Sequence, residues 1–209
     1  MIKGQGDIIA AVLIIIIGIA LTGTAYMWGY PLIEKRQGAA IVERITNAFS
    51  RDNVNSLTNK IEFIANNGGE DTFSIDTNGI WILKEGDTSD MYNPDKNCIL
   101  FSFKSKVSNI APNIGWVPIS SPNTNPTGTA GIDDPSVIFA RSDTSEGAYN
   151  ITYKLWFRQL NGTDNNYLIL LKPRAGSSTV STAKSLRISR GKIYSTGNLI
   201  ITEIEILLG

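Results

Sequence analysis

The chain divides where the spacing of its apolar residues changes. From Ile8 to Tyr30 run 23 residues without a charge. At about 1.5 Å per residue they form a helix about 35 Å long, enough to span a hydrocarbon layer of roughly 30 Å with some tilt. A helix that is apolar all round has to be buried, in lipid or against similar helices. Pro31 follows it, and a proline inside a helix removes a hydrogen bond, so a kink is expected there. Beyond it, Ile41, Ile45, Ala48 and Phe49 recur at helical spacing, as do Leu57, Ile61 and Ile64 after the polar SRDNVNS. This pattern predicts two helical pieces with a break near Arg51 to Asn55. KIEFIA also reads as a strand, and Asn66-Asn67-Gly68-Gly69 reads as a helix stop.

From Glu70 onward the period is two. In AYNITYKLWFRQ, Tyr149, Ile151, Tyr153, Leu155 and Phe157 share one side, and Asn150, Thr152, Lys154, Trp156 and Arg158 the other, which predicts a half-buried strand. TFSIDTNGIWILKE predicts two strands around a turn at Asn78-Gly79. ILFSFKSKV, VIFAR, YLILLK and LIITEIEILL supply more strands, the last with Ile200, Thr202, Ile204, Ile206 and Leu208 on one face. No crossover-length helix follows residue 70, so the expectation is an α+β chain: a long N-terminal hydrophobic helix, then an Ig-like antiparallel β-sandwich of about seven to nine strands. The expected division is a leader at 1–4, the helix and its amphipathic linker at 5–66, and the sandwich at 67–209. Residues 111–136, with five of the eight prolines, form a long ordered loop or short edge arrangement, where Trp116 plugs the sandwich edge or binds a ligand.

Composition narrows the chemistry. Lys plus Arg and Asp plus Glu are both 19, so no net field steers the chain toward nucleic acid. Histidine is absent, which removes imidazole-based triads and the usual general base near neutral pH. No catalytic residues, cofactor or metal site are expected, and the chain reads as a non-enzyme. The acidic loops GDTSDMYNPDKN, GIDDPS, RSDTSEG and NGTDNN offer oxygen ligands, but none has EF-hand spacing. Glu203 and Glu205 are an ordinary outer-face pair, and Cys98, the one cysteine, reads as a small buried hydrophobe. Asn150-Ile151-Thr152 and Asn161-Gly162-Thr163 are sequons and make Asn150 and Asn161 candidate N-glycosylation sites.

The first residues, KGQGD, set the meaning of the apolar run. An ordinary secretory signal has a short apolar stretch with its small-residue cleavage site behind it; here the stretch is long and the small residues stand in front. Tyr26, Trp28 and Tyr30 mark one membrane interface. Lys35 and Arg36 against Lys3 make the positive-inside count two to one against a cytoplasmic N-terminus. Lys3-Gly4-Gln5-Gly6-Asp7 followed by the isoleucine-rich run resembles the class III signal peptide of archaeal type IV pilins and archaellins. The resemblance implies cleavage between Gly4 and Gln5, ahead of the hydrophobic helix. The chain departs from the commonest family pattern in having Asp7 as the only acid before the run, so Asp7 reads either as a plain membrane-edge residue or as a salt-bridge partner for a neighbouring subunit's new amino group. A looser likeness to pilin-like archaeal surface proteins lies in the GW-P and G-D-P elements of the proline-rich stretch.

The resemblance implies a structural subunit of a surface filament that serves adhesion or cell contact, made by a prepilin peptidase and an assembly ATPase with its platform. The precursor is membrane-inserted, and the mature chain sits at the cell surface among copies of itself. Ile8, Ile16, Gly18, Gly23 and Tyr30 mark the polymerisation helix, where Gly18, Thr22, Gly23, Thr24 and Ala25 allow close helix approach. The alternative is a β-sandwich binding module tethered to the membrane, and a third is an anchored hydrolase, disfavoured by the missing histidine.

Overall fold

The structure is a computed structural model that describes residues 3–90, 92–120 and 123–209, with side chains from Ile9 onward. Helix α1 (Lys3–Phe49) holds the uncharged run and the first amphipathic stretch in one piece. It stays helical through Pro31, so the expected kink does not interrupt it; the missing N–H costs one hydrogen bond, to the Met27 carbonyl. The predicted break is present, because α1 stops at Phe49 and α2 (Leu57–Asn67) starts after a turn. Ser56 caps α2 by accepting the Asn59 N–H at 3.2 Å. KIEFIA is therefore helix, not strand. At its end Gly68 has φ +82°, a backbone conformation that favours glycine, and the Arg190 guanidinium lies against it.

Twelve strands, numbered in chain order, form two six-stranded sheets among the described residues. The first is ordered β1 (Glu70–Ser74), β11 (Ser185–Thr196), β12 (Leu199–Leu208), β9 (Asn166–Pro173), β8 (Gln159–Asn161) and β5 (Thr127–Thr129). The second is β10 (Val180–Ser181), β2 (Ile80–Lys84), β3 (Cys98–Ser105), β7 (Ala148–Phe157), β6 (Ser136–Ser145) and β4 (Val117–Pro118). Pairing is antiparallel except for β12 on β9 and β5 on β8. The chain is thus an α+β protein with a sandwich-like domain, richer in strands than expected. Residues 111–136 carry the short edge strands β4 and β5.

One core joins both sheets to the helices. Trp81, Phe101, Ile151 and Leu155 face it from the second sheet, Phe73, Ile188, Ile204 and Ile206 from the first. Val42, Ile45 and Phe49 of α1 and Ile61 of α2 enter the same core. Phe49 stacks on Tyr153 with ring centroids 5.4 Å apart, and Thr46 Oγ1 lies 2.7 Å from the Tyr153 hydroxyl. The lower end of α1 is therefore part of the domain, whereas the span above it is not.

Two strand expectations need correction. β1 and β2 do not pair: β1 joins β11 and β2 joins β3, so the Asn78-Gly79 segment passes between sheets. Neither residue adopts the positive φ that a tight hairpin turn uses. β7 is not half-buried, since Thr152, Lys154 and Trp156 on its second side are covered too. A second cluster of Cys98, Leu100, Val137 and Trp156 lies on that outer face, with Trp116 and Phe139 packed against it. Lys154 Nζ sits 4.4 Å from the Trp116 ring centroid and 3.2 Å from Asp95. Trp116 thus covers the sheet face rather than plugging its edge. Alternation missed this because a lysine and a tryptophan on the polar side read as solvent-facing.

Cys98 is fully buried beneath this cover, and burial pushes its thiol up to about 12. In the folded protein it is expected to react with a thiolate-selective reagent at least about a hundredfold more slowly than in denaturant; timed labelling with mass readout checks this, and equal rates would contradict the burial.

Candidate functional site

The uncharged part of α1 stands clear of the domain. Its most apolar 18-residue window has a mean hydropathy of 2.4 and none of it is buried. Fifteen large apolar side chains between Ile9 and Ile33 are exposed, among them Ile16 at 59% and Tyr30 at 50%. At about 1.5 to 3 kcal/mol each, leaving them in water costs on the order of 20 to 45 kcal/mol, more than the roughly 5 to 15 kcal/mol that holds a domain folded. A membrane or apolar partners must take this surface. From Ile9 to Gln37 the free helix extends about 40 Å at about 1.5 Å per residue.

Where α1 first meets the domain, Gly38 packs its backbone closely against the end of β3. A Cβ there would come 3.1 Å from Ser105 Oγ and 3.2 Å from Val107 Cγ2. Gly38, Val42, Ile45 and Phe49 are buried and fall within a wedge of about 60° at about 100° per residue. Gly18, Thr22, Ala25 and Gly29 fall within a similar wedge on roughly the opposite side of the helix. The side away from the domain is thus the one with the least bulk. Gly23 and Thr24 turn elsewhere, while Gly29, which the sequence reading left out, joins the stripe by its i+4, i+3, i+4 spacing. Added Cβ atoms at Gly18, Gly23 and Gly29 would meet nothing within 4 Å. Thr22 and Thr24 donate their hydroxyls at 2.8 Å to the Gly18 and Ala20 carbonyls, so neither needs water.

Gly4, Gln5 and Ile8 fall in the first turns of α1, but their side chains lie outside the described residues. The sequons differ in setting. Asn150 lies in β7 between Lys104 and Asp143, and its partner Thr152 is buried, 2.8 Å from Ser102 Oγ. Asn161 is exposed at the end of β8, at the start of the turn to β9.

The acids of GIDDPS hold structure. Arg51 donates to both Glu62 oxygens at 2.9 and 2.6 Å and lies 3.2 Å from Asp134. Arg158, fully buried, donates to the carbonyls of Asp134, Asn123 and Asn125 at 3.0, 2.9 and 3.1 Å. Asp133 accepts the Thr129 N–H at 2.8 Å and the Asn123 amide at 2.9 Å, and these bonds hold its carboxyl below the usual range. Two arginines thus pin the loop before β6 to α2 and to the end of β7.

No protein family matches the chain, and no curated protein or solved structure is similar to it.

Proposed function

We propose that this chain is a structural subunit of an extracellular filament of the archaeal type IV pilin kind, used for adhesion or cell contact. The observation that carries the reading is the free, uncharged span of α1, helically continuous with a base buried in the domain core. In the proposed pathway a prepilin peptidase cuts between Gly4 and Gln5 while α1 anchors the precursor in the membrane. Copies of α1 then bundle, with the small-residue side of each turned inward and the sandwiches outside. Moving the helix from lipid to bundle exchanges one apolar surrounding for another, so packing alone separates the two states. An energy-driven assembly machine is therefore part of the proposal.

Gly4→Trp tests the leader. The expected result is uncut protein confined to the membrane fraction and no fibres on the cell; normal fibres from this variant would contradict the assignment. The tethered binding module predicts instead that the wild-type protein is recovered as a detergent-solubilised monomer and never in sheared surface fibres.

A further inference from the structure

The inner face of the first sheet continues past the core. Ile200 and Thr202 alternate onto the same side as the core residues Ile204 and Ile206, and their β9 partners are Tyr167 and Ile169. The second sheet does not follow, because β7 ends at Phe157 and the chain passes through Arg158 into β8 of the first. What remains is a cleft of about 330 Å³ between α2 and residues 131–135, lined by Glu62, Asn66, Asp133, Tyr167, Ile200 and Thr202 among others. That volume is at the lower end of pockets that take small ligands.

Its chemistry is specific. Both carboxylates have an arginine beside them, Glu62 bonded to Arg51, which Asp134 shares, and Asp133 with Arg158 at 3.8 Å, so the cleft presents acceptor oxygens whose charge is largely offset. The Asn66 amide and the Tyr167 and Thr202 hydroxyls make no hydrogen bond among the described residues. Tyr167 is 46% exposed and offers ring surface next to the apolar Ile200. An apolar floor, an open aromatic ring and a rim of solvent-facing neutral donors and acceptors match a polyhydroxylated ring with one apolar face.

From this geometry we infer that the cleft binds one neutral sugar unit. The inference stands whether or not the chain polymerises. α1 leaves the domain at Gly38 beside Ser105, at the C-terminal end of β3, and the cleft lies past the other end of that sheet, so helix bundling leaves it open. The sugar has two sources. One is a saccharide of another surface. The other is a glycan of this chain: Asn161 shares the Gln159 face of β8, opposite Leu160 and Tyr167, but it begins the turn in which a Cβ on Gly162 would lie 3.3 Å from the Tyr167 ring, so a glycan there reaches the cleft by folding around that turn.

The test uses the full chain in a non-glycosidic detergent, made in a host that does not glycosylate, with glucose, galactose, mannose, N-acetylglucosamine and glucuronate as probes in saturation-transfer NMR. At least one neutral sugar is expected to bind saturably and more tightly than glucuronate. Tyr167→Ala and Thr202→Val should each weaken that binding about tenfold or more without moving the thermal midpoint. If Tyr167→Ala does not fold, Asn66→Ala at the exposed rim gives the same readout. No binding by any of the four neutral sugars, or binding unchanged in the folded variants, overturns the inference. Protein from the native cell separates the sources: binding that is reduced there and restored by Asn161→Gln means that the chain's own glycan fills the cleft, and equal binding in both preparations means an external saccharide.

Discussion

Ile16→Lys is expected to abolish fibres while the protein still enters the membrane. Ile16 lies within the uncharged run and is 59% exposed, in the part of α1 that stands clear of the domain. In a bilayer a lysine at the helix centre costs about 2.5 to 3.5 kcal/mol on insertion scales, which the surrounding isoleucines offset. A dry bundle is harsher, since every subunit brings the same charge to a similar depth, unpaired and close to its like. A buried, uncompensated ion costs several kcal/mol, repeated at each subunit. Insertion should therefore survive and assembly fail, with Ile16→Leu assembling normally. Electron microscopy of sheared cells together with membrane fractionation checks this; wild-type fibre yield from Ile16→Lys would mean that this side chain never enters an apolar interface.

Arg158→Met should be the most damaging single change in the domain, costing about 3 to 5 kcal/mol and lowering the thermal midpoint by about 10 °C or more. The methionine replaces the volume but none of the donors. The carbonyls of Asn123, Asn125 and Asp134 lose their common partner, and Asp133 loses the nearest cation. Burial also disfavours the charged guanidinium, lowering its pKa from the ordinary value, so the hydrogen bonds already work against a desolvation cost. Loss of the loop's anchor should open the region before β6. Thermal unfolding followed by circular dichroism reads the shift, and a midpoint within about 2 °C of wild type, roughly 1 kcal/mol or less, would show that the carbonyls find other donors.

The parts legible in the sequence were those governed by local rules. The uncharged run, the stop at Phe49 and the glycine end of α2 each follow from helix chemistry within a few residues. So do most strand positions, because the period-two pattern is written along each strand. Sheet membership is not. Which partner β1 takes depends on β11, more than 100 residues away in the chain, and no local signal at Asn78-Gly79 reports the passage between sheets. The cover over β7 was hidden because Lys154 and Trp116 meet only after folding. Nor do Glu62, Asp133, Tyr167 and Thr202 form a motif; they come together because the two sheets part at Arg158. The small stripe on α1 was partly visible, and the direction it faces required the docked base at Gly38, Val42, Ile45 and Phe49.

Amide hydrogen exchange on intact, purified surface fibres, read by mass spectrometry over residues 9–33, tests the central claim most directly. The account predicts that these peptides are present in the fibre protein, behind an N-terminus at Gln5, and that their amides remain protected as long as those of the sandwich core. Fibre protein lacking this segment, or a segment that exchanges as freely as an exposed helix, would contradict it.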